Sequence, residues 1–123
     1  MNFKGKNIKL ILSVDETDEY NLIKNIVEDE LRREVSSSIH QSIFRSIERV
    51  KIWLKENPFA GDQIRKGQIP KHYIQKYGVN NLWRIELSNY WRLIYTIKSD
   101  ELEIIVFVLD ISDHKKYEEL FGY

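Results

Sequence analysis

Three apolar runs near the C-terminus constrain the fold more than any other part of the sequence. Residues 82–87 and 91–97 alternate apolar with polar side chains, which is typical of strands that bury one face. Residues 102–111 are apolar on both faces and rich in β-branched side chains, so this run predicts a central strand. The short polar segments 88–90 and 99–101 predict the two antiparallel hairpins that join the runs.

One more strand and two helices are predicted before these runs. Residues 7–14 favour a strand, and Asp15 stands where the N-cap of a first helix is expected. The serines at 36–38 predict a break, after which a second amphipathic helix ends before Pro58. The sequence therefore predicts an α+β fold in a single domain, residues 1–123. Its order is an N-terminal strand, a helical hairpin, a three-stranded antiparallel meander and a short C-terminal helix. The simplest packing is an antiparallel sheet with the hairpin on one face and the other face partly open.

Residues 59–81 show no sustained hydrophobic period and are predicted to form a long loop. This segment interleaves tyrosines with basic residues, a mixture that suits phosphate binding and stacking on unpaired bases. Its candidate RNA-binding residues are Arg65, Lys66, Lys71 and His72. A solvated loop with its tyrosines against the core explains the same residue types equally well.

Composition and charge limit the class of protein. The chain has no cysteine, which excludes disulfides and thiolate sites, and no apolar run long enough to cross a bilayer, so a cytoplasmic protein is expected. The formal net charge is zero, but residues 51–98 contain nine basic and three acidic residues. This middle segment predicts an anionic partner.

Two arginines are the first candidates for a functional site. If the apolar residues of the first two runs face the helices, Arg84 and Arg92 project from the opposite face on adjacent strands. Neighbouring like charges repel each other unless an anion joins them, which favours a phosphate site. The alternative is that Glu86, on the same face as Arg84, or another carboxylate pairs with the arginines.

The C-terminal helix supplies the next candidates. Asp113 is a good N-cap, so His114 falls in the first helical turn and Tyr117 lies one turn later on the same side. A histidine can act as a general acid or base near neutral pH. The alternative is a capping or surface histidine, with Tyr117 anchoring the helix to the core. The chain's three histidines are far apart in sequence, so no metal site is predicted.

A set of short motifs resembles the RelE/ParE superfamily of toxins from toxin-antitoxin pairs, and within it the RelE/YoeB-like branch. The resemblance covers a little over half of the chain. The matching segments are ENPFAG at 56–61, LWRI at 82–85, YWRLIY at 90–95, DHKKY at 113–117 and FGY at 121–123.

The resemblance implies a RelE-like fold and an endoribonuclease that cuts mRNA on the ribosome without a cofactor, with the RNA 2′-hydroxyl as nucleophile. It implies that Arg92 binds the scissile phosphate and that Arg84 matches a basic residue on the preceding strand. It places His114 close to the family's acid/base residue and makes Tyr117 the aromatic that stacks on a base. Lys115 joins the basic loop residues as a candidate RNA contact.

The resemblance also leaves alternatives open. Residues 68–71 lack the glutamate that serves as base in some relatives, so Lys71, His72 or His114 would have to serve. The chain's net charge of zero differs from that of the ribosome-directed members, which tend to be strongly basic. A ParE-like gyrase inhibitor and a catalytically silent antitoxin-binding module are therefore the alternatives. In each case the implied protein partner is a cognate antitoxin with an acidic segment.

Overall fold

The computed structural model describes residues 2–122, apart from the side chains of Asn2, Val14 and His114. The strands are β1 (Asn2–Phe3), β2 (Lys6–Leu12), β3 (Asp62–Gln63), β4 (Trp83–Glu86), β5 (Arg92–Ser99) and β6 (Glu103–Ser112). The helices are α1 (Val14–Arg32), α2 (Ile39–Glu56), α3 (Lys71–Tyr77) and α4 (His114–Phe121), with 3₁₀ turns at Lys66–Gln68 and Ser88–Tyr90. No helix within this part of the chain is long and apolar enough to span a membrane.

The strands form one sheet in the order β1-β2-β6-β5-β4-β3. The antiparallel meander of β4, β5 and β6 is confirmed. The expectation of a wholly antiparallel sheet was wrong, because β2 pairs with β6 in parallel. Three helices and strands β3, β4 and β5 separate β2 from β6 along the chain, so no hairpin sets their relative direction.

Strand β6 is the central strand that its composition predicts. It lies between β2 and β5, and its side chains are buried or half-buried throughout. On one face, α1 and α2 cover a core that includes Ile47, Leu93 and Val106.

The opposite face is more covered than the sequence predicts. A second core, to which α3 and α4 contribute Tyr73 and Tyr117, packs against Ile94 and Leu109 of the sheet. The sheet face that was predicted to be partly open is therefore exposed only where the second core does not cover it.

A β-bulge in the β5–β6 ladder changes which side chains reach the second face. Ile94 pairs with Asp110, whereas the next residue, Tyr95, pairs with Val108, so Leu109 is the extra residue on β6. Such a bulge breaks the strict alternation of a strand. Leu109 packs in the second core, and its neighbour Asp110 also lies opposite a residue of that core.

Side-chain caps define the ends of three helices. Ser38, the last of the three serines at the predicted break, caps α2, and Asp113 caps α4 as predicted. Each accepts a hydrogen bond from a backbone N–H three residues later. Helix α1 begins earlier than expected, because Ser13 rather than Asp15 is its N-cap and accepts from the Glu16 N–H at 3.2 Å. A serine hydroxyl and an aspartate carboxylate are both good caps, so residue type alone does not distinguish them.

The predicted loop 59–81 is partly ordered into β3, a 3₁₀ turn and α3. Helix α3 has seven residues, begins after Pro70 and ends at Gly78, which adopts a left-handed conformation with φ 64°. Two turns of helix are too short to produce a detectable apolar period, which is why the sequence did not reveal it.

Gly61 allows the chain to pass close to the sheet at β3. A Cβ atom at this position would lie 2.6 Å from the Arg84 carbonyl oxygen and 2.7 Å from the Tyr95 hydroxyl. That hydroxyl accepts a hydrogen bond from the Gly61 N–H and donates one to the Pro58 carbonyl. The close approach therefore depends on the absence of a side chain.

We expect Gly61→Ala to lower the free energy of unfolding by about 1–3 kcal/mol, because the new methyl group overlaps backbone and hydroxyl atoms. Urea unfolding followed by tryptophan fluorescence measures the change. Gly67→Ala is the matched control, since a Cβ atom there meets nothing within 4 Å. Equal effects of the two substitutions would contradict the steric explanation.

Candidate functional site

Strand pairing places the two predicted arginines on one face of the sheet. Arg84 of β4 lies opposite Ile94, and Arg92 of β5 lies opposite Glu86. The intervening residues Ile85 and Leu93 pack toward α1 and α2. The arginines are therefore diagonal neighbours on the face that carries the second core, close enough for long side chains to reach a common ligand.

Both arginines contact the ring of Tyr117 from α4. The guanidinium carbons of Arg84 and Arg92 lie 5.8 and 5.2 Å from the ring centroid, and Arg84 Nη1 donates a 2.5 Å hydrogen bond to the Tyr117 hydroxyl. Phe121 stacks on the same ring at 4.3 Å, and Tyr117 is only 2% exposed. This packing holds two cations at a fixed separation around one aromatic ring.

One buried donor of Arg92 has no acceptor among the described residues. Its Nη1 donates to the Tyr90 carbonyl at 2.5 Å, while its Nε has no hydrogen-bond partner within residues 2–122. The carboxylate of Glu86 lies 3.7 Å from Nε, too far for a hydrogen bond, and is itself largely exposed. The predicted alternative, pairing with Glu86, is therefore present only as a long ion pair.

Ser112 provides a second unsatisfied group beside Arg92. The two residues are directly opposed in the β5–β6 ladder, and the Ser112 hydroxyl is buried without a partner among the described residues. Buried polar groups are usually hydrogen-bonded, and exceptions in one place call for an explanation. A ligand oxygen could accept from both groups after a small local movement.

A cleft of about 400 Å³ opens beside Arg84 and Tyr117. Its walls come from β3, the first 3₁₀ turn, β4 and α4. The polar and aromatic side chains in these walls belong to Asp62, Gln63, Arg65, Gln68, Arg84, Tyr117 and Phe121. The cleft is therefore lined by two guanidinium groups, a tyrosine and a carboxylate.

The predicted site residues divide between this cleft and the exposed surface. Arg65, Arg84 and Tyr117 line the cleft, and Arg92 adjoins it through Tyr117. The remaining basic candidates are exposed and are not among the lining residues: Lys66, Lys71, His72 and Lys115. The side chain of His114, the predicted acid/base residue, lies outside the described part of the structure.

Several residues at the site were not predicted from the sequence. Asp62 lies directly opposite Arg84 in the β3–β4 ladder and lines the cleft, and Phe121 and Ser112 complete its surroundings. One signal pointed to Asp62, because it is one of only three acidic residues in the basic segment 51–98. Phe121 was identified only within the FGY motif and not as a site residue, and Ser112 carried no local signal, since its role depends on pairing with β5.

A second polar cluster lies at the base of α4. The carboxylate of Asp110 accepts hydrogen bonds from the Tyr73 hydroxyl and from Lys116 Nζ, both at 3.0 Å. Carboxylate oxygens of Glu16, Glu19 and Asp110 lie within 4.8 Å of one another, so this is the described group that could hold a metal ion. We assign none, because the Lys116 ammonium already neutralises Asp110 and a protonated Glu16 can share its proton with Glu19.

Burial raises the pKa of the Glu16 carboxyl to about 9, with further contributions from the negative charges of Glu19 and Asp110. Glu16 is 2% exposed, and its Oε1 has no hydrogen-bond partner among the described residues. The folded protein therefore holds a proton on Glu16 at neutral pH that the unfolded chain releases.

This proton makes stability depend on pH. The contribution of Glu16 to the free energy of unfolding is fully present below the unfolded pKa near 4.5 and is lost as pH rises to about 9. We expect Glu16→Gln to flatten the decline between pH 5 and 9 and to stabilise the protein at pH 9 by more than about 1 kcal/mol. Urea unfolding at several pH values measures this, with exposed Glu101→Gln as control. An unchanged pH profile in Glu16→Gln would show that the carboxyl is ionised in the folded state.

Comparison with known proteins adds one structural neighbour. No protein-family model and no curated protein matches this sequence. Among solved structures, the chain is similar to a YoeB/ParE toxin from Agrobacterium tumefaciens, with a TM-score of 0.55 and 16% identity. The match covers 86% of this chain and 98% of that chain. The chain therefore has the RelE/ParE-like toxin fold, an α+β fold, that its motifs predicted.

Proposed function

We propose that this protein is the toxin of a toxin-antitoxin pair and that it cleaves mRNA on the ribosome in the cytoplasm. The observation that carries the proposal is the convergence of Arg84 and Arg92 on Tyr117 at the edge of a cleft. The fold shared with a YoeB/ParE toxin supports it. The basic segment 51–98, which contributes both arginines, suits an anionic substrate.

The proposed reaction is attack of an RNA 2′-hydroxyl on the adjacent phosphate. Arg92 and Arg84 bind non-bridging oxygens of that phosphate and stabilise the extra negative charge of the pentavalent transition state. Arg92 suits this role because its Nε donor has no hydrogen-bond partner among the described residues. The neighbouring Ser112 hydroxyl can add a hydrogen bond to the same phosphate.

Proton transfer requires an acid for the leaving 5′-oxygen and a base for the 2′-hydroxyl. Tyr117, whose hydroxyl accepts a hydrogen bond from Arg84, is one candidate acid for the leaving oxygen. His114, at the first position of α4, is the other candidate acid. Because Phe121 and the two arginines surround the buried Tyr117 ring, we assign Tyr117 to proton transfer rather than to base stacking.

The candidates for the general base are ranked by whether they line the cleft. Asp62 is the carboxylate in the cleft wall and lies across the ladder from Arg84, so we add it to His114, Lys71 and His72 as a candidate. Lys71 and His72 are exposed on α3 and are not among the lining residues, which ranks them below Asp62.

Arg92→Ala tests the phosphate role. We expect it to reduce ribosome-dependent cleavage of a defined mRNA by about 10²- to 10³-fold, the usual effect of removing one donor from a developing oxyanion. Ribosomes programmed with that mRNA are incubated with the toxin, and the new RNA ends are mapped and quantified. Exposed Arg45→Ala on α2 is the matched control and should cleave at the wild-type rate.

The same assay distinguishes the alternatives. Cleavage that survives Arg92→Ala would remove the arginine from the mechanism. If the wild-type chain cuts neither naked nor ribosome-bound mRNA, gyrase-dependent supercoiling is assayed next. Inhibition there would support the ParE-like function, and its absence would leave a module that only binds its antitoxin.

The proposed protein partner is a cognate antitoxin with an acidic segment that binds the basic surface around the cleft. Arg65 lines the cleft, Lys66 follows it in the chain, and both are exposed, so they can pair with acidic residues. We expect the product of the neighbouring gene, when co-expressed, to co-purify with the toxin and to abolish cleavage. Combined Arg65→Glu and Lys66→Glu substitutions should weaken the complex. Full inhibition without a stable complex would contradict direct binding.

A further inference from the structure

Helix α4 is attached to the end of β6 by two carboxylates. The Asp113 carboxylate accepts a hydrogen bond from the Lys116 backbone N–H at 2.8 Å, and the Asp110 carboxylate accepts one from Lys116 Nζ at 3.0 Å. Lys116 is therefore held through both its backbone and its side chain. Since Tyr117 is the next residue of the helix, these contacts also fix the direction in which its side chain leaves α4.

Asp110 is suited to bind a cation because it is buried and remains an acceptor for a second donor. It is 4% exposed, and its other carboxylate oxygen accepts a hydrogen bond from the Tyr73 hydroxyl at 3.0 Å. Hydrogen bonds to an ionised group are stronger than those between neutral groups. Burial by itself lowers the pKa of Lys116, but the hydrogen bond with Asp110 and its negative charge bring that pKa above its ordinary value. The ammonium therefore stays charged in the ion pair.

The contacts of Asp110 and Tyr117 form a closed circuit. On one side, Asp110 is joined to Tyr117 through the adjacent Lys116. On the other side, it binds Tyr73 of α3, whose ring lies 6.1 Å from the ring of Phe121. Phe121 in turn stacks on Tyr117 at 4.3 Å. A rotation of α4 about its axis would therefore disturb both the ion pair and the aromatic contacts.

The placement of Tyr117 matters to the candidate site because both arginines contact it. Arg84 Nη1 donates to its hydroxyl, and the Arg92 guanidinium carbon lies 5.2 Å from its ring centroid. Lys116 is not among the residues that line the cleft. Its effect on chemistry in the cleft is therefore indirect.

We propose that Lys116 is a positioning residue for RNA cleavage, and that its ion pair with Asp110 fixes the rotation of α4 and thereby holds the Tyr117 hydroxyl beside Arg84. This inference rests on the proposed function, since it assigns a role in the same reaction. Misplacing a reacting group by about 1 Å can lower a rate by about 100-fold. Loss of the ion pair should therefore slow the cleavage step and leave RNA binding in place.

Two variants break the ion pair from its two ends. Lys116→Met removes the ammonium and keeps a long side chain, whereas Lys116→Arg keeps a cation. Asp110→Asn removes the negative charge but keeps an acceptor for the Tyr73 hydroxyl, and it takes the place of Lys116→Met if that variant does not fold. Lys9→Met is the matched control, because it breaks a 3.2 Å ion pair with Glu103 near the opposite end of β6. Thermal unfolding followed by circular dichroism gives a temperature at which the variants are folded, and all assays are made there.

Single-turnover cleavage of a defined mRNA on programmed ribosomes is measured at increasing toxin concentrations, which separates the maximal rate from binding. We expect Lys116→Met and Asp110→Asn to lower the maximal rate by about 10- to 100-fold, with the half-saturating toxin concentration within about threefold of wild type. Lys116→Arg should recover most of the rate, and Lys9→Met should cleave like the wild type. A merely structural role predicts the wild-type maximal rate in any variant that is folded.

A double variant tests whether Lys116 acts through Tyr117. Adding Lys116→Met to Tyr117→Phe should lower the maximal rate by less than about threefold beyond Tyr117→Phe alone, because the hydroxyl to be positioned is already absent. Losses that multiply, or a wild-type maximal rate in folded Lys116→Met or Asp110→Asn, would overturn the positioning role and leave the nuclease intact. A wild-type chain that cleaves no mRNA would overturn the proposed function, and this inference with it.

Discussion

The burial of β6 on both faces and both edges is the constraint on which the rest of the structure depends. The strand pairs with β2 on one side and with β5 on the other, so its backbone hydrogen bonds are satisfied within the sheet. An apolar strand with two buried faces requires a cover on each side. Helices α1 and α2 supply one cover, and α3 and α4 supply the other.

The candidate site lies at the edge of the layer that α3 and α4 form on the second face of the sheet. Helix α4 follows β6 almost directly, and Asp110 near the end of β6 holds it through Lys116 while also binding Tyr73 of α3. That anchor positions Tyr117 against the arginines of β4 and β5. The bulge at Leu109 matters here, because Asp110 would face the other core if the strand kept its alternation.

Unfavourable local features concentrate around this region. The Arg92 Nε and the Ser112 hydroxyl, which have no hydrogen-bond partner in the described part of the chain, lie side by side on β5 and β6. The carbonyl of Tyr90, whose backbone is left-handed, accepts a hydrogen bond from the same arginine. Glu16 holds a proton in the cluster that anchors α4. Each feature lowers stability, and the well-packed sheet tolerates them. An unsatisfied donor such as Arg92 Nε can bind a ligand oxygen without first losing a hydrogen bond within the protein.

Local patterns in the sequence determined the strands of the meander, the helical hairpin and the caps at Ser38 and Asp113. They also placed Arg84 and Arg92 on one face, because the period of two is a property of each strand alone. The local sequence did not reveal α3, which has too few turns for a hydrophobic period. It also did not distinguish Ser13 from Asp15 as the N-cap of α1.

Only the tertiary structure decided the parallel pairing of β2 with β6, the covered second face and the surroundings of Tyr117. These depend on contacts between residues far apart in the chain, as when Arg84 meets Tyr117 or Asp62 lines up with Arg84. A periodic pattern records which side of an element is apolar, but not which element covers it. The sequence by itself therefore identified the longer elements and the charged face, and packing decided which side chains share a site.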